Sequence, residues 1–298
     1  MSAEAQPLVQ TRRLGDFVLH ALYAGLQRLD GGAMFGVVPK PLWEKRIPAD
    51  DRNRIPLALR CLLVETPDAI VLIDNGAGNK ENDRFREIYG LENGPLGAGH
   101  STRLDDALAA AGFTRDDVSL VIDTHLHFDH AGGNTHRDAE GAVQVSFPRA
   151  RHVVQRGEWE YAHWRNERVQ ASYLRHNFEP VMDAGLFDLV EGETEVLPGI
   201  RVRPTPGHTP HHQCVLLRSG GDTACYLADL VPTVAHLPLP WIMGYDVEPL
   251  VTLETKRTLL AEARDEGWLL IFEHDPTTAW GRLSREDERP VLVDADPT

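Results

Sequence analysis

Four residues of types that bind metal ions lie within six consecutive positions of the chain. The segment HLHFDH contains His125, His127, Asp129 and His130, and it directly follows VSLVIDT, a short apolar run typical of a buried strand. Alternation along an extended chain turns His125 and His127 to the same side. Clustered titratable groups beside a buried strand are costly unless they bind something. We therefore interpret this cluster as metal-binding.

A turn after His125 and His127 is expected to direct the next two candidate ligands away from the first pair. This turn begins near Asp129 and can direct Asp129 and His130 toward a second point close to the first. Gly132 and Gly133 follow in the sequence and permit a tight backbone. The cluster therefore predicts side chains that converge on two neighbouring points.

Strands and helices on both sides must position these residues. LALRCLLVET and AIVLIDNG predict a hairpin, and a helix is predicted after Ser101 as N-cap, with Gly112 as its stop. The second half predicts strands in IRVRPTPGH, QCVLLRS, TACYLAD and WLLIFEHDP, with a helix over 251–266. The Gly- and Pro-containing stretch 32–54 is interpreted as a long ordered loop.

Length and charge restrict the class of protein. A chain of 298 residues suits one elaborated domain, and we expect a single domain over 1–298. Because no apolar run reaches the length of a membrane span and none follows Arg12 and Arg13, we expect a soluble cytoplasmic protein without a membrane partner. The formal net charge of −15 and the absence of a dense Lys/Arg cluster oppose nucleic acid as a partner.

Cysteines and most histidines are expected to have no chemical role. Cys61, Cys214 and Cys225 are scattered without C-x-x-C spacing, so we interpret them as small core residues rather than zinc ligands or disulfides. The histidines outside the segments singled out as candidate sites are interpreted as bystanders: His20, His100, His136, His152, His163 and His176.

Residues 157–187 form a segment rich in helix formers and aromatic residues, which predicts two helices in a helical insertion. Its aromatic residues are Trp159, Tyr161, Trp164, Tyr173 and Phe178. Packing against the body of the domain, a substrate lid and a homodimer surface all remain open for this segment.

The segment THLHFDHAGGN resembles the signature of the metallo-β-lactamase superfamily, and later segments occur in the order that family uses. The resemblance implies an α/β (α+β) fold, a four-layer αββα sandwich. It also implies three further ligands, His208 in TPGHTP, Asp229 in YLADL and His274 in FEHDP. Each of them follows a strand-like run, so they can meet at one edge of packed sheets. Asp74 in VLIDNG resembles a family aspartate that supports the site.

The family pattern also implies how the ligands are shared between two divalent metal ions. His125, His127 and His208 hold the first ion, Asp129, His130 and His274 the second, and Asp229 bridges them. Imidazole and carboxylate ligands without thiolate suit zinc, and equally suit iron, manganese or cobalt. We expect zinc.

The same resemblance implies a hydrolase. Two ions that share a water lower its pKa toward roughly 7, which supplies a metal-bridging hydroxide as nucleophile. Asp129 and Asp229 are the expected catalytic residues, Asp129 by passing a proton to the leaving group. HLHFDHAGGN, TPGHTP and GGAMFGVVPKPLWEK most resemble the branch of N-acyl-homoserine lactonases and related ester and phosphotriester hydrolases. We therefore expect a small-molecule lactone or ester, or a phosphotriester, as substrate.

Two features depart from the lactonase pattern. Lactonases carry a tyrosine shortly after the bridging aspartate, whereas Asp229 is followed by LVPT. His211 stands where lactonases have glycine. His236 and Tyr245 are left open as pocket, core or surface residues.

Several rival functions share this metal pattern. A hydroxyacyl-glutathione thioesterase would need a basic glutathione site, and a tRNA-processing nuclease is opposed by the acidic charge. A flavodiiron-like redox protein is opposed by His127, because that branch has an acidic residue there, and by the chain length. A metal-binding protein without catalytic activity is the last alternative.

Overall fold

Most of the strands of the chain belong to two seven-stranded sheets in the computed structural model, which describes residues 6–99, 101–164, 166–287 and 290–293. In chain order the strands are β1 (Val9–Leu14), β2 (Phe17–Asp30), β3 (Arg54–Glu65), β4 (Ile70–Ile73), β5 (Leu120–Ile122), β6 (Thr135–Arg137), β7 (Val143–Val145), β8 (Arg151–Gln155), β9 (Phe187–Val190), β10 (Thr194–Leu197), β11 (Ile200–Pro204), β12 (Gln213–Ser219), β13 (Asp222–Tyr226), β14 (Leu269–Ile271), β15 (Trp280–Leu283) and β16 (Leu292–Val293). The helices are α1 (Gly31–Phe35), α2 (Lys40–Trp43), α3 (Asp83–Tyr89), α4 (Arg103–Ala110), α5 (Arg156–His163), α6 (Glu179–Asp183) and α7 (Pro249–Glu266). None of the helices described is long and apolar enough to cross a membrane.

The chain divides into two compact units, each made of two stretches. Unit one contains the described residues up to Gly25 together with Leu59–Glu191, and unit two contains Leu26–Ala58 and the described residues from Gly192 onward. The single domain over 1–298 stays a prediction.

The first sheet has the order β1-β2-β3-β4-β5-β8-β9. β3 and β4 form the predicted antiparallel hairpin, with Leu62 opposite Ile73. β4, β5, β8 and β9 then run parallel to one another. All three residues of β5 are buried, as expected for the continuous apolar strand of a parallel sheet. Only Asp123 and Thr124 lie between the end of this strand and the HLHFDH segment.

The predicted helix before β5 is present as α4, with one correction at its start. Thr102 rather than Ser101 is the N-cap, because Asp105 reaches back to the backbone N–H of Thr102 at 2.9 Å in a capping box. The chain reverses after the helix at Gly112, whose φ is +90°.

The aromatic segment 157–187 contains two helices, as predicted, namely α5 apart from its first residue and all of α6, with a 3-10 turn before α6. Phe178 and Val181 are fully buried and Tyr173 is 7% exposed. Trp164 is 60% exposed, so only part of the segment packs into unit one.

The second sheet, of order β10-β11-β12-β13-β14-β15-β16, belongs to unit two. Its predicted strands β11, β12 and β13 are antiparallel, and β14 joins β13 in parallel after α7. α7 ends at Gly267 in the left-handed conformation and buries Leu259, Leu260 and Ala263. Lys256 lies among the same buried residues, which the apolar periodicity did not predict.

The stretch 32–54 was wrongly interpreted as a loop alone, because it contains most of α1 and all of α2. These short helices belong to an apolar cluster in which Phe35 stacks on Trp43 with ring centroids 5.3 Å apart. Gly and Pro at the helix ends hid the helices from a propensity argument, while burial of the aromatic rings stabilises them.

Candidate metal centre

The unit-one ligand cluster consists of His125, His127, Asp129 and His130, in the turn after β5. Its side chains are between 0% and 9% exposed. The rings of His125 and His127 lie 4.5 Å apart between centroids, and those of His125 and His130 lie 4.0 Å apart. Asp129 Oδ1 is 3.9 Å from His130 Nε2. The four predicted residues are therefore brought together.

Asp74 and Thr124 orient two of these histidines. Asp74, at the end of β4, accepts hydrogen bonds from the backbone N–H and the hydroxyl of Thr124, both at 2.8 Å. Asp74 also contacts a histidine, because its Oδ2 lies 3.0 Å from Nδ1 of His130. Because the single hydroxyl proton of Thr124 goes to Asp74, Thr124 Oγ1 accepts from His125 Nδ1 at 3.1 Å. Both rings thus carry their proton on Nδ1 and keep Nε2 for a metal ion.

Gly132 and Gly133 are required for close backbone approach, not for a left-handed backbone. The N–H of Gly133 donates to the carbonyl of Gly76 at 2.9 Å, and a Cβ at Gly133 would collide with the carbonyl oxygen of Asn75. The buried ammonium of Lys80 donates to the carbonyls of Gly132 at 2.5 Å and Thr135 at 2.7 Å. Burial lowers the pKa of Lys80 to about 7.

Asp123 is a further buried carboxyl beside this turn. Its oxygens accept from the side-chain amides of Asn134, at 3.1 and 3.0 Å, and Asn75, at 3.2 Å. Burial raises the pKa of Asp123 to about 8, although these amides favour the charged form. This hydrogen-bond network restrains the backbone of the turn. The sequence did not predict it, because Asn75 and Asn134 lie far apart in the chain.

The unit-two ligand cluster consists of His208, Asp229 and His274. Asp229 Oδ2 is 3.0 Å from His208 Nε2, and Asp229 Oδ1 is 3.2 Å from His274 Nε2. His208 follows β11, Asp229 follows β13 and His274 follows β14, so three strand ends bring them together. Gly207 precedes His208 with φ of +139°, where a Cβ would collide with Thr252.

Each member of the unit-two cluster has a partner that fixes its orientation. His208 Nδ1 lies 2.9 Å from Asp246 Oδ1, and His274 Nδ1 donates to the carbonyl of Ala58 at 2.7 Å. The backbone N–H of Asp229 donates to Nε2 of His212 at 3.3 Å. A carbonyl only accepts, so the proton of His274 is on Nδ1 and Nε2 is left for a metal ion.

Asp246 and His212 were missed by sequence reasoning. His212 is fully buried, and its Nδ1 lies 2.8 Å from the hydroxyl of Thr205. Its position after TPGHTPH was the available signal for His212. Asp246 gave none, because it lies in a loop 38 residues from His208.

His236 and Tyr245, which the sequence left open as pocket, core or surface residues, lie in different surroundings. His236 is a core residue that stacks on Phe35 at 4.5 Å, with Nε2 2.8 Å from the carbonyl of Met34. Burial lowers the pKa of His236 to about 3. Tyr245 is 41% exposed, and His211 is exposed beside the unit-two ligand cluster.

Histidines interpreted as bystanders have ordinary partners where the structure describes them. His20 lies 2.6 Å from Glu65, and His176 lies 2.7 Å from Glu81. His163 contacts the carbonyl of Trp159, and burial lowers the pKa of His152 to about 4. His136 lies 3.2 Å from the hydroxyl of Ser146. His100 lies outside the described residues.

Donor chemistry in both clusters fits divalent metal ions. Ligand atoms of His125 and His127 lie within 4.8 Å of each other, and the same holds for Asp129 with His130 and for His208 with Asp229. Buried imidazole nitrogens and carboxylate oxygens that converge in this way suit zinc, iron, manganese or cobalt. These His and Asp groups can therefore hold metal ions.

Comparisons with known proteins agree with this chemistry. The Metallo-beta-lactamase superfamily profile matches residues 55–274. N-acyl homoserine lactonase AiiA from Bacillus thuringiensis subsp. kurstaki is 31% identical over 234 residues, covering 74% of this chain and 82% of that protein. A crystal structure described as "a probable metal-dependent hydrolase from Staphylococcus aureus" is similar with a TM-score of 0.85 and 31% identity, covering 95% of this chain and 99% of that one.

A further similar structure is AidC, described as a dizinc quorum-quenching lactonase. Its TM-score is 0.74 with 19% identity, and 96% of each chain is covered, which supports the fold alone. The chain belongs to the metallo-β-lactamase superfamily, a family of metal-dependent hydrolases. The predicted α/β (α+β) metallo-β-lactamase fold and the resemblance to the lactonase branch are confirmed.

Proposed function

We propose that the protein is a binuclear metal-dependent hydrolase that opens a lactone or cleaves an ester. In this proposal His125, His127 and His208 would hold the first ion, Asp129, His130 and His274 would hold the second, and Asp229 would be shared between them. Zinc is the proposed metal, since imidazole and carboxylate ligands suit it and a similar fold is described as dizinc.

The position of Asp229 carries this proposal. One of its oxygens faces His208 and the other faces His274, at 3.0 and 3.2 Å. Because these two histidines are proposed to hold different ions, this arrangement supports a carboxylate that both ions would share. Ala228, immediately before it, has φ of +43°, a conformation that non-glycine residues rarely adopt. Such backbone strain occurs mostly where function requires an exact side-chain direction.

Lactones are the first substrate class to test because curated relatives at about one-third identity are named N-acyl homoserine lactonases. The departure after Asp229 limits how far the likeness extends. Asp229 is followed by LVPT where lactonases carry a tyrosine, and His236 is buried with its ring stacked on Phe35. We therefore include aryl esters and phosphotriesters beside lactones.

The protein side chains divide the chemical work. When bound, divalent ions lower the pKa of water and polarise a carbonyl oxygen. Four of the imidazoles are held in the tautomer that leaves Nε2 for a metal ion. The groups that contact their Nδ1 atoms are Thr124 for His125, Asp74 for His130, Asp246 for His208 and the Ala58 carbonyl for His274. Asp129 is the carboxylate proposed to carry a proton to the leaving alkoxide, which completes ester or lactone opening.

Hydrolysis of a defined panel tests the proposal. Purified protein is assayed on an acyl-homoserine lactone, an aryl ester, a phosphotriester and a glutathione thioester, before chelation, after chelation and after zinc is restored. We expect lactone or ester hydrolysis that is lost on chelation and regained with zinc. His211→Ala, an exposed change beside the unit-two ligand cluster, serves as the control and is expected to keep bound metal. Hydrolysis that persists after complete metal removal would contradict the proposal.

A further inference from the structure

We propose that Glu158 and Tyr173, from the aromatic segment, are positioning residues that fix the metal-binding direction of His125 and His127. This inference rests on the proposed metal centre and gives part of the aromatic segment a role other than a lid. Both residues belong to unit one, as do both histidines.

The carboxylate of Glu158 binds the backbone between the two histidines. Glu158 lies in α5 and is 0% exposed. Its Oε1 accepts the backbone N–H of Leu126 at 3.1 Å. Leu126 separates His125 from His127, so this bond restrains the backbone between the two residues that carry the imidazoles.

Tyr173 connects the same carboxylate to a ligand ring. Its hydroxyl donates to Glu158 Oε1 at 2.8 Å. Its ring packs against the ring of His127 edge to face, with centroids 4.7 Å apart and an interplanar angle of 66°. One oxygen of Glu158 thus restrains the backbone before His127 and the ring beside it.

A second backbone bond holds the other end of the histidine pair. The N–H of Phe128 donates to the carbonyl of Ser172 at 2.9 Å, directly beside Tyr173. The HLHFDH turn is therefore held by α5 on one side and by residues 172–173 on the other. A part of the segment that is buried and bonded in this way cannot open as a lid without breaking these contacts.

Energetics favour a positioning role over simple packing. A polar carboxyl group in a fully buried place is costly unless it is hydrogen-bonded, and an apolar side chain of similar size would pack at lower cost. The hydrogen bond that Glu158 accepts from the backbone between His125 and His127 explains why a carboxyl group occupies this buried position. Partners of metal ligands commonly change metal affinity about 10- to 100-fold when removed.

Metal affinity of four variants tests this role. Glu158→Gln keeps an acceptor for Leu126, Glu158→Leu removes it, and Tyr173→Phe keeps the ring but removes the hydroxyl. Glu160→Gln, an exposed change on the same helix, is the matched control. Zn²⁺ affinity is measured by competition with a chromophoric chelator, the visible spectrum of the Co²⁺ form reports ligand geometry, and thermal unfolding of the metal-free protein reports folding.

The expected order of metal affinity is wild type and Glu160→Gln, then Tyr173→Phe and Glu158→Gln, then Glu158→Leu. Glu158→Leu is expected to lose about 10- to 100-fold in Zn²⁺ affinity and to change the Co²⁺ spectrum. If Glu158→Leu does not fold, Glu158→Gln and Tyr173→Phe decide the matter, because both keep the side-chain shape.

Folded variants with wild-type Zn²⁺ affinity and an unchanged Co²⁺ spectrum would overturn the positioning role. A lower unfolding temperature alone, with unchanged affinity, would also overturn it, because it would show packing only. Failure of the proposed function appears differently. Wild-type protein would then bind two ions and hydrolyse none of the panel, while the affinity comparison would still hold.

Discussion

The two ligand clusters reach similar chemistry by opposite routes. The unit-one ligand cluster takes four residues from one turn, whereas the unit-two ligand cluster takes three residues from the ends of three strands. The four ligands of unit one are neighbours in the chain, so their pattern is visible in six letters of sequence, although Asp74 and Glu158 bond to the turn from distant positions. Residues 208, 229 and 274 meet only after β11, β13 and β14 have paired or packed. Dispersed ligands therefore depend on sheet formation, and contiguous ligands depend on the turn.

Both clusters nevertheless use the same two devices. Each places a non-glycine residue with positive φ at the site, Asp74 at +52° in unit one and Ala228 at +43° in unit two. Each also orients a histidine through Nδ1 with a buried carboxylate, Asp74 or Asp246. Backbone strain and buried carboxyl groups are tolerated where they direct a ligand.

Removing a ligand from each cluster should separate a shared residue from one that serves a single ion. We expect Asp229→Ala to lose both metal ions and to reduce hydrolysis to background, because its two oxygens are proposed to serve both. His125→Ala is expected to lose one ion and to retain the other. Elemental analysis of dialysed protein measures this. An Asp229→Ala protein that keeps two ions and full turnover would contradict the bridging role.

Replacing the carboxylates that orient His130 and His208 should have a smaller effect on metal binding than removing a ligand. Asp74→Asn and Asp246→Asn should each lower zinc affinity about 10- to 100-fold. Asp74→Asn should also lower the free energy of unfolding of metal-free protein, because Asp74 additionally accepts two bonds from Thr124. Asp222→Asn, an exposed change, is the control. If all three variants bind zinc with the affinity of the wild type, the contacts of Asp74 and Asp246 do not contribute to zinc affinity.

A buried lysine in each unit gives the smallest expected difference. Lys80 donates to two backbone carbonyls, and Lys256 donates to the carbonyls of His236, Pro238 and Trp241. Burial lowers the pKa of each from 10.5 to about 7. Between pH 7 and pH 10.5 the unfolded chain binds one more proton per lysine than the folded chain. The free energy of unfolding therefore rises by up to about 1.4 kcal/mol for each lysine as the pH increases by one.

Lys80→Met and Lys256→Met remove this dependence from one unit at a time. We expect the stability of metal-free wild type relative to either variant to increase from pH 7.5 to pH 9.5. Urea unfolding in the presence of chelator, repeated across that range, measures the difference. A difference that does not vary with pH would show that the folded protein keeps these lysines charged throughout.

Sequence reasoning predicted what local patterns determine. β5 and the hairpin of β3 and β4 were predicted because continuous apolar runs mark buried strands, and α4 and α7 because caps mark their ends. The unit-one ligand cluster was proposed from spacing alone. The ligands of unit two required the family resemblance, because no local pattern links them.

Apart from Asp74, which the family resemblance implied, the partners that orient the ligands could not be predicted. The carbonyl of Ala58 lies 216 residues from His274, and Asp246 lies 38 residues from His208. Their roles follow from tertiary contacts, which sequence periodicity does not encode. Lys256 was missed for a related reason, because a buried cation that satisfies loop carbonyls looks like a surface residue in a helical pattern.

Metal stoichiometry tests the central claim most directly. Protein stripped by a chelator is reconstituted with zinc, freed of excess ion and analysed for zinc per chain, with Asp229→Ala treated in parallel. We predict two zinc ions per wild-type chain and a clear loss in Asp229→Ala. Wild-type protein that folds but retains no zinc after reconstitution would contradict the account.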